Sequence, residues 1–242
     1  MGREIMTRPA PEADERIAYG DRRDQFVDFR WSPMAGPRPL VVNIHGGFWR
    51  PRFDLLHAGH LCEALRAAGC HTANVEYRRS SCADILADVG AAVRFACKRA
   101  KSTAIVTGHS AGGHLTLWLS AEMPELAAVV VMGPVACLRP AMERNLGDGA
   151  VRDFLGATAV DGVDPAGRVS TVPRLLIHGT ADEIVPVEIS RAYVEARGGD
   201  ANPPRLMELE GADHFDVIDP LSAYWERVQA AVLGAARSTV NA

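Results

Sequence analysis

Short, almost unbroken apolar runs alternate with segments of helical periodicity along nearly all of this chain, and that alternation leaves few folds open. Leu40-Val41-Val42-Asn43-Ile44, Thr103 to Thr107, Leu126 to Val135 and Leu175-Leu176-Ile177 are such runs. Apolar stretches of this kind, bounded by turn residues, suit strands buried on both faces, as in a parallel sheet. Between them, Leu55 to Ala68, Asp84 to Ala100, Ala111 to Ala121, about Val187 to Ala196 and Leu221 to Ala236 carry helical spacing. In the second of these, Ile85, Val89, Val93 and Ala96 or Cys97 share one face. The expected class is therefore α/β, with a mainly parallel sheet and helices on both of its faces.

Weaker signals complete the layout. Gln25 to Trp31 alternates apolar and polar residues, as a half-buried strand at a sheet edge does, and Thr72 to Tyr77 and Leu206 to Leu209 read as further strands. Residues 1–23 are polar and punctuated by proline, an arm expected to lie over the domain. Residues 24–242 then form a single domain, since no linker, repeat or change of composition divides them. One stretch breaks the alternation. Residues 137–172, rich in Gly, Asp and Pro, carry weak helical pieces at 141–145 and 151–155 and read as a short lid-like insertion over the sheet, too small for a large cap.

Composition removes several partner classes. Asp and Glu total 30 against 26 Lys and Arg, whereas binding to a phosphate backbone usually leaves a basic surplus, so no nucleic-acid partner is expected. No apolar run approaches the ~20 residues of a membrane span, and the opening residues lack a signal-peptide core. Five cysteines, an odd number without framework spacing, argue for a reducing, cytoplasmic setting and against a zinc site. His57 and His60 stand one helical turn apart near Asp54, a spacing that could hold a metal; a solvated helix face is the expectation, with no metal.

The chemistry concentrates at Gly108-His109-Ser110-Ala111-Gly112. A strand runs directly into this Gly-x-Ser-x-Gly pattern and a helix runs directly out, which would set Ser110 on a sharp, strained turn with a helix N-terminus aimed at it. A serine hydroxyl needs a base, and the base needs an orienting carboxylate. His114 lies one turn along the outgoing helix and should point away, and His178 ends a strand in a structural setting. His214, in the loop after the last strand, is the expected base, because catalytic groups gather at the carboxyl edge of such sheets. Asp182, just past the strand 175–177, is the expected carboxylate. The oxyanion hole should draw backbone N–H groups from Ala111 and from the glycine-rich turn His45-Gly46-Gly47-Phe48-Trp49, at Gly46, Gly47 and Phe48. Trp49, Arg50 and Phe215 flank these loops as candidate substrate contacts, with Tyr77 and Arg78 as further pocket residues. Arg50 or Arg78 could meet an acidic substrate, though a surface salt bridge is the more ordinary role.

These residues resemble the α/β-hydrolase family, over essentially the whole chain from about residue 24. The His45-Gly46-Gly47-Phe48-Trp49 segment is similar to the HGGxW signature of kynurenine formamidases and of neighbouring short-chain carboxylesterases related to hormone-sensitive lipase. The resemblance implies a serine hydrolase without cofactor, cleaving small-molecule esters or aryl formamides through an acyl-enzyme, in the chain order Ser110, Asp182, His214. Two rivals stand beside it. One is an exopeptidase of the prolyl-oligopeptidase type, for which no propeller or amine-binding carboxylate pair is seen. The other is a non-catalytic small-molecule receptor, disfavoured because every triad member is present. Oligomeric state is left open, a homodimer included.

Overall fold

The structure, a computed structural model, describes residues 2–240, with side chains described over 3–236. Eight strands form one sheet: β1 (Glu15–Ala18), β2 (Phe26–Arg30), β3 (Leu40–Ile44), β4 (His71–Val75), β5 (Ala104–His109), β6 (Ala128–Met132), β7 (Arg174–Gly179) and β8 (Arg205–Leu209). Their order across the sheet is β1-β2-β4-β3-β5-β6-β7-β8. The first two junctions are antiparallel and every later one is parallel. This is the α/β arrangement that the alternation predicts. One detail differs: the segment 25–31 is not an edge strand, because residues 15–18 of the expected arm pair along it as β1. The polar, alternately exposed sequence Glu-Arg-Ile-Ala gives that edge strand little apolar pattern to be read by.

Helices cover both faces. They are α1 (Gly59–Ala67), α2 (Cys82–Ala100), α3 (Ala111–Glu122), α4 (Leu138–Glu143), α5 (Leu146–Leu155), α6 (Glu188–Ala196) and α7 (Trp225–Val240). Two apolar cores result, and the pleat of each strand feeds both of them. Val42, Val106 and Val131 join α2 and α3 in one core, while Val41, Ile105 and Val130 join α1 and α7 in the other. That two-sided burial is why the strands read as unbroken apolar runs. Helix α2 starts at Ser81, whose side chain accepts from the Asp84 N–H, and ends with Lys101 in a left-handed C-cap, Lys98 and Arg99 lying in its last turn.

The insertion is short and held down. It consists of α4, α5 and two 3₁₀ turns, and α5 opens on a left-handed run at Gly147, Asp148 and Gly149. The Arg50 guanidinium donates to the Asp148 carbonyl, Phe154 stacks on Trp49, and the His114 ring donates through Nε2 to the Val163 carbonyl. The N-terminal segment is anchored as well. Ile5 is fully buried in the α1/α7 core, and Arg8 forms a two-pronged ion pair with Asp219 at 2.8 and 2.9 Å. No described helix is long and apolar enough to cross a membrane.

His114 makes stability pH-dependent. Burial pushes its pKa from 6.5 down to about 4. The folded state therefore refuses a proton that the unfolded chain accepts, so stability is full above about pH 6.5 and is lost as pH falls towards 4. Denaturant unfolding at pH 7 and pH 4 should show a smaller difference for His114→Gln than for the wild-type chain, by up to roughly 3 kcal/mol. An unchanged difference would show that His114 is not a source of the acid sensitivity.

Candidate active site

Ser110 occupies the single residue between β5 and α3, at φ 55° and ψ −119°. A non-glycine residue there is strained and persists only where its surroundings hold it. Three backbone hydrogen bonds do so: the Ser110 N–H donates to Met132 O, and Ser110 O accepts from the N–H groups of His114 and Val135. Close approach explains the flanking glycine at 112, where a Cβ would overlap the carbonyls of Ile44 and His45 at the end of β3. The first N–H groups of α3 have no partner within the helix, and the Ala111 N–H meets no protein acceptor among the described residues.

The turn after β3 lies against this elbow. Gly47, Phe48 and Trp49 carry consecutive positive φ values of 117°, 53° and 56°, a run of left-handed residues that only Gly47 tolerates without strain. Side chains pin it from beneath. The Trp49 indole is buried, stacked on Phe154 at 4.5 Å and set edge-on to His114. His45 faces Gly46 O at 2.7 Å and Glu76 Oε1 at 3.2 Å, and the Tyr77 hydroxyl donates to His45 O. Burial alone would raise the Glu76 carboxyl, but His45 and Arg79 hold it at about 2, so it stays ionised. The backbone N–H groups of Gly47 and Phe48 make no protein hydrogen bond among the described residues.

Asp182 and His214 come from the ends of β7 and β8. Asp182 Oδ1 accepts the N–H groups of Ile184 and Val185, which fixes the carboxylate, and Oδ2 lies 2.6 Å from His214 Nδ1. Burial opposes ionisation of Asp182, but hydrogen bonds from His178 and His214 outweigh it and hold the carboxyl far below the usual range. The His178 ring is otherwise tied to Val185 O and Ser190 Oγ, the structural setting expected from sequence. Asp213 does not reach the His214 ring; its Oδ1 accepts the N–H groups of Phe215 and Asp216 and shapes the turn. The His109 ring Nε2 donates to His214 O, tying the strand before the serine to the loop that carries His214.

Ser110 and His214 line one cavity of about 390 Å³, together with Gly47, Phe48 and Phe215, and Asp182 stands behind His214. Phe215 is thus where a substrate contact is expected. Trp49 is not: its indole packs beneath the turn. Arg50 is turned away to Asp153 and the Asp148 carbonyl, and Arg78 is paired with Asp84 and Asp88. Tyr77 is fully buried against His45. His57 and His60 are not on a solvated face; both are buried, His57 on the cavity wall and His60 against the N-terminal segment, which packs over the 3₁₀ turn Leu56–Ala58 and the start of α1. No group of three or more metal-binding side chains comes together among the described residues. Further wall residues, Arg3, Met6, Arg52, Phe53 and Ile184, escape the sequence reading. Arg52 and Phe53 follow the glycine-rich turn closely enough to have been suspected from their position. Arg3 and Met6 carried no signal at all.

The sheet, its helices and the elbow define an α/β-hydrolase fold. The BD-FAE family pattern matches residues 31–131, the part that holds the glycine-rich turn and the elbow. The chain is similar to Esterase LipC of Mycobacterium tuberculosis, at 26% identity over 84% of this chain and 60% of that one. It therefore spans about 60% of the length of that curated relative. Among solved structures it resembles esterase B from Lactobacillus rhamnosis inhibited by a tributyrin phosphonate, with a TM-score of 0.83, 18% identity, and coverage of 99% and 91% of the two chains. It also resembles a thermophilic esterase from Thermogutta terrifontis with propionate bound, with a TM-score of 0.72, 24% identity, and coverage of 96% and 94%.

The contact at Gly112 gives a direct test of the elbow. Gly112→Ala should destabilise the fold by about 1–3 kcal/mol, because the methyl group must displace the backbone at Ile44 and His45. Thermal unfolding measures this, and a melting temperature equal to that of the wild type would show that the strand–helix approach is looser than described.

Proposed function

We propose that the chain is a serine hydrolase that cleaves small-molecule carboxylic esters through an acyl-enzyme. One observation carries the reading: a strained serine at a strand-to-helix turn shares a cavity with a histidine whose far nitrogen is held by a buried, ionised aspartate. The similarity to proteins named as esterases supports the reaction class.

The steps follow from the atoms. Ser110 Oγ bonds to the ester carbonyl carbon while its proton passes to His214 Nε2. The developing oxyanion meets the free N–H groups of Ala111, Gly47 and Phe48 near the start of α3, where negative charge is favoured. Asp182 keeps the His214 Nδ1–H in place and stabilises the imidazolium. The C–O bond to the alcohol then breaks, and the leaving oxygen takes the proton from His214. Water repeats the sequence: its proton goes to His214, its oxygen to the acyl carbon, and Ser110 Oγ recovers a proton as the carboxylic acid departs. No cofactor enters any step.

An aryl formamide would pass through the same steps, with nitrogen leaving in place of oxygen. That second reading rests on the His45-Gly46-Gly47-Phe48-Trp49 segment. Two neutral chromogenic substrates, 4-nitrophenyl acetate and 4-nitroformanilide, separate the two. With each rate divided by that of the same compound's alkaline hydrolysis, the ester should have the higher kcat/KM, and Ser110→Ala should lower kcat by on the order of 10⁶. Preference for the formanilide would move the reading to a formamidase, and near-wild-type turnover by Ser110→Ala would remove the serine mechanism altogether.

A further inference from the structure

Two exposed arginines border the cavity of Ser110 without an ion pair. Arg3 and Arg52 line it, none of its described wall residues is Asp or Glu, and neither guanidinium has an ion pair or hydrogen bond among the described residues. The arginines nearest in sequence to the catalytic loops are accounted for elsewhere, Arg50 by Asp153 and Arg78 by Asp84 and Asp88. The remaining cavity wall is largely aromatic and aliphatic. Two of the histidines that share it add no charge: burial pushes His57 down to about 3, and burial together with the neighbouring His214 holds His109 well below 6.5. The permanent positive charge on this wall is that of the two arginines.

Both are placed. The Arg52 guanidinium lies over the Phe53 ring, 4.9 Å from its centroid, which occupies its flat face and leaves its N–H edge free for a planar anion. Arg3 sits on the N-terminal 3₁₀ turn Gly2–Met6, in a segment held down by Ile5, buried in the core, and by Arg8, clamped on Asp219. The adjoining groove past His214 and Phe215 has the opposite character, with Glu4, Glu183 and Asp213 on its wall. An anionic group is repelled from that side and drawn towards Arg52.

We infer that Arg3 and Arg52 select a substrate with a free carboxylate, so that the natural ester of this site is a small monoanion. This rests on the serine-hydrolase reading. A carboxylate fits the arginine fork, forms charge-assisted hydrogen bonds stronger than neutral ones, and is steered into the cavity by the unpaired charge. Arg52 is the principal selector and Arg3, shared with the acidic groove, the secondary one.

The test uses matched pairs of esters, each rate corrected for alkaline hydrolysis of the same compound. Mono-4-nitrophenyl glutarate against 4-nitrophenyl butyrate places the carboxylate on the acyl side. 4-Acetoxybenzoate against its methyl ester places it on the alcohol side. In at least one pair the anionic ester should have the higher kcat/KM, by about 10-fold, and the preference should shrink as salt screens exposed charge. Arg52→Gln should lower that anionic-to-neutral ratio about 10-fold and Arg3→Gln by a smaller factor. Because the readout is a ratio within one protein sample, partial misfolding of a variant does not imitate the effect. A wild-type ratio at or below one in both pairs, or a ratio that neither substitution moves, overturns the inference while leaving the hydrolase reading intact. Absence of turnover of all four esters overturns that reading, and the inference with it.

Discussion

The left-handed backbone of Ser110 is the constraint on which the site depends. A serine at φ 55° relaxes unless its neighbours forbid it, and here β6 and the start of α3 forbid it through hydrogen bonds to both its N–H and its carbonyl. Those bonds exist only because β3, β5 and β6 lie parallel and in register, with Ile44 opposite Gly108 and His109 opposite Met132. The two-sided apolar burial of those strands fixes the register. The core thus does more than stabilise the fold; it holds one residue in a conformation that turns its hydroxyl into the cavity.

The second constraint is electrostatic. Several histidines gather around the sheet's carboxyl edge, and their environments differ. His57, His109 and His114 are kept neutral by burial. His214 alone among these has a carboxylate at its Nδ1, and that carboxylate is itself ionised through hydrogen bonds from two backbone amides and His178. A carboxylate thus stands beside one imidazole while burial keeps the others uncharged, the arrangement that the proposed proton transfer from Ser110 calls for. The hydrogen bond from His109 to the His214 carbonyl couples the two loops mechanically.

Much of this was legible in the residues, for identifiable reasons. Unbroken apolar runs reveal parallel strands because both faces are buried, and the Gly-x-Ser-x-Gly pattern reveals the elbow because Gly112 has no alternative at that approach. Asp182 and His214 could be placed by their position after strands. What stayed hidden lacked a local signal. β1 is polar and exposed on alternate residues, so its pairing with β2 is a tertiary fact. Trp49 looks like a pocket residue beside the glycine-rich turn, yet its partner Phe154 lies about a hundred positions away. Arg50 is drawn off by Asp153 at a similar separation, and Arg3 reaches the cavity only because Ile5 and Arg8 fasten the N-terminal segment beside it.

The proposed nucleophile Ser110 is tested most directly by intact-mass measurement after brief exposure to a fluorophosphonate, followed by peptide mapping. A single adduct on Ser110 is expected, formed at a rate that falls sharply in His214→Ala. An unmodified chain, or an adduct on any other residue, would contradict the assignment.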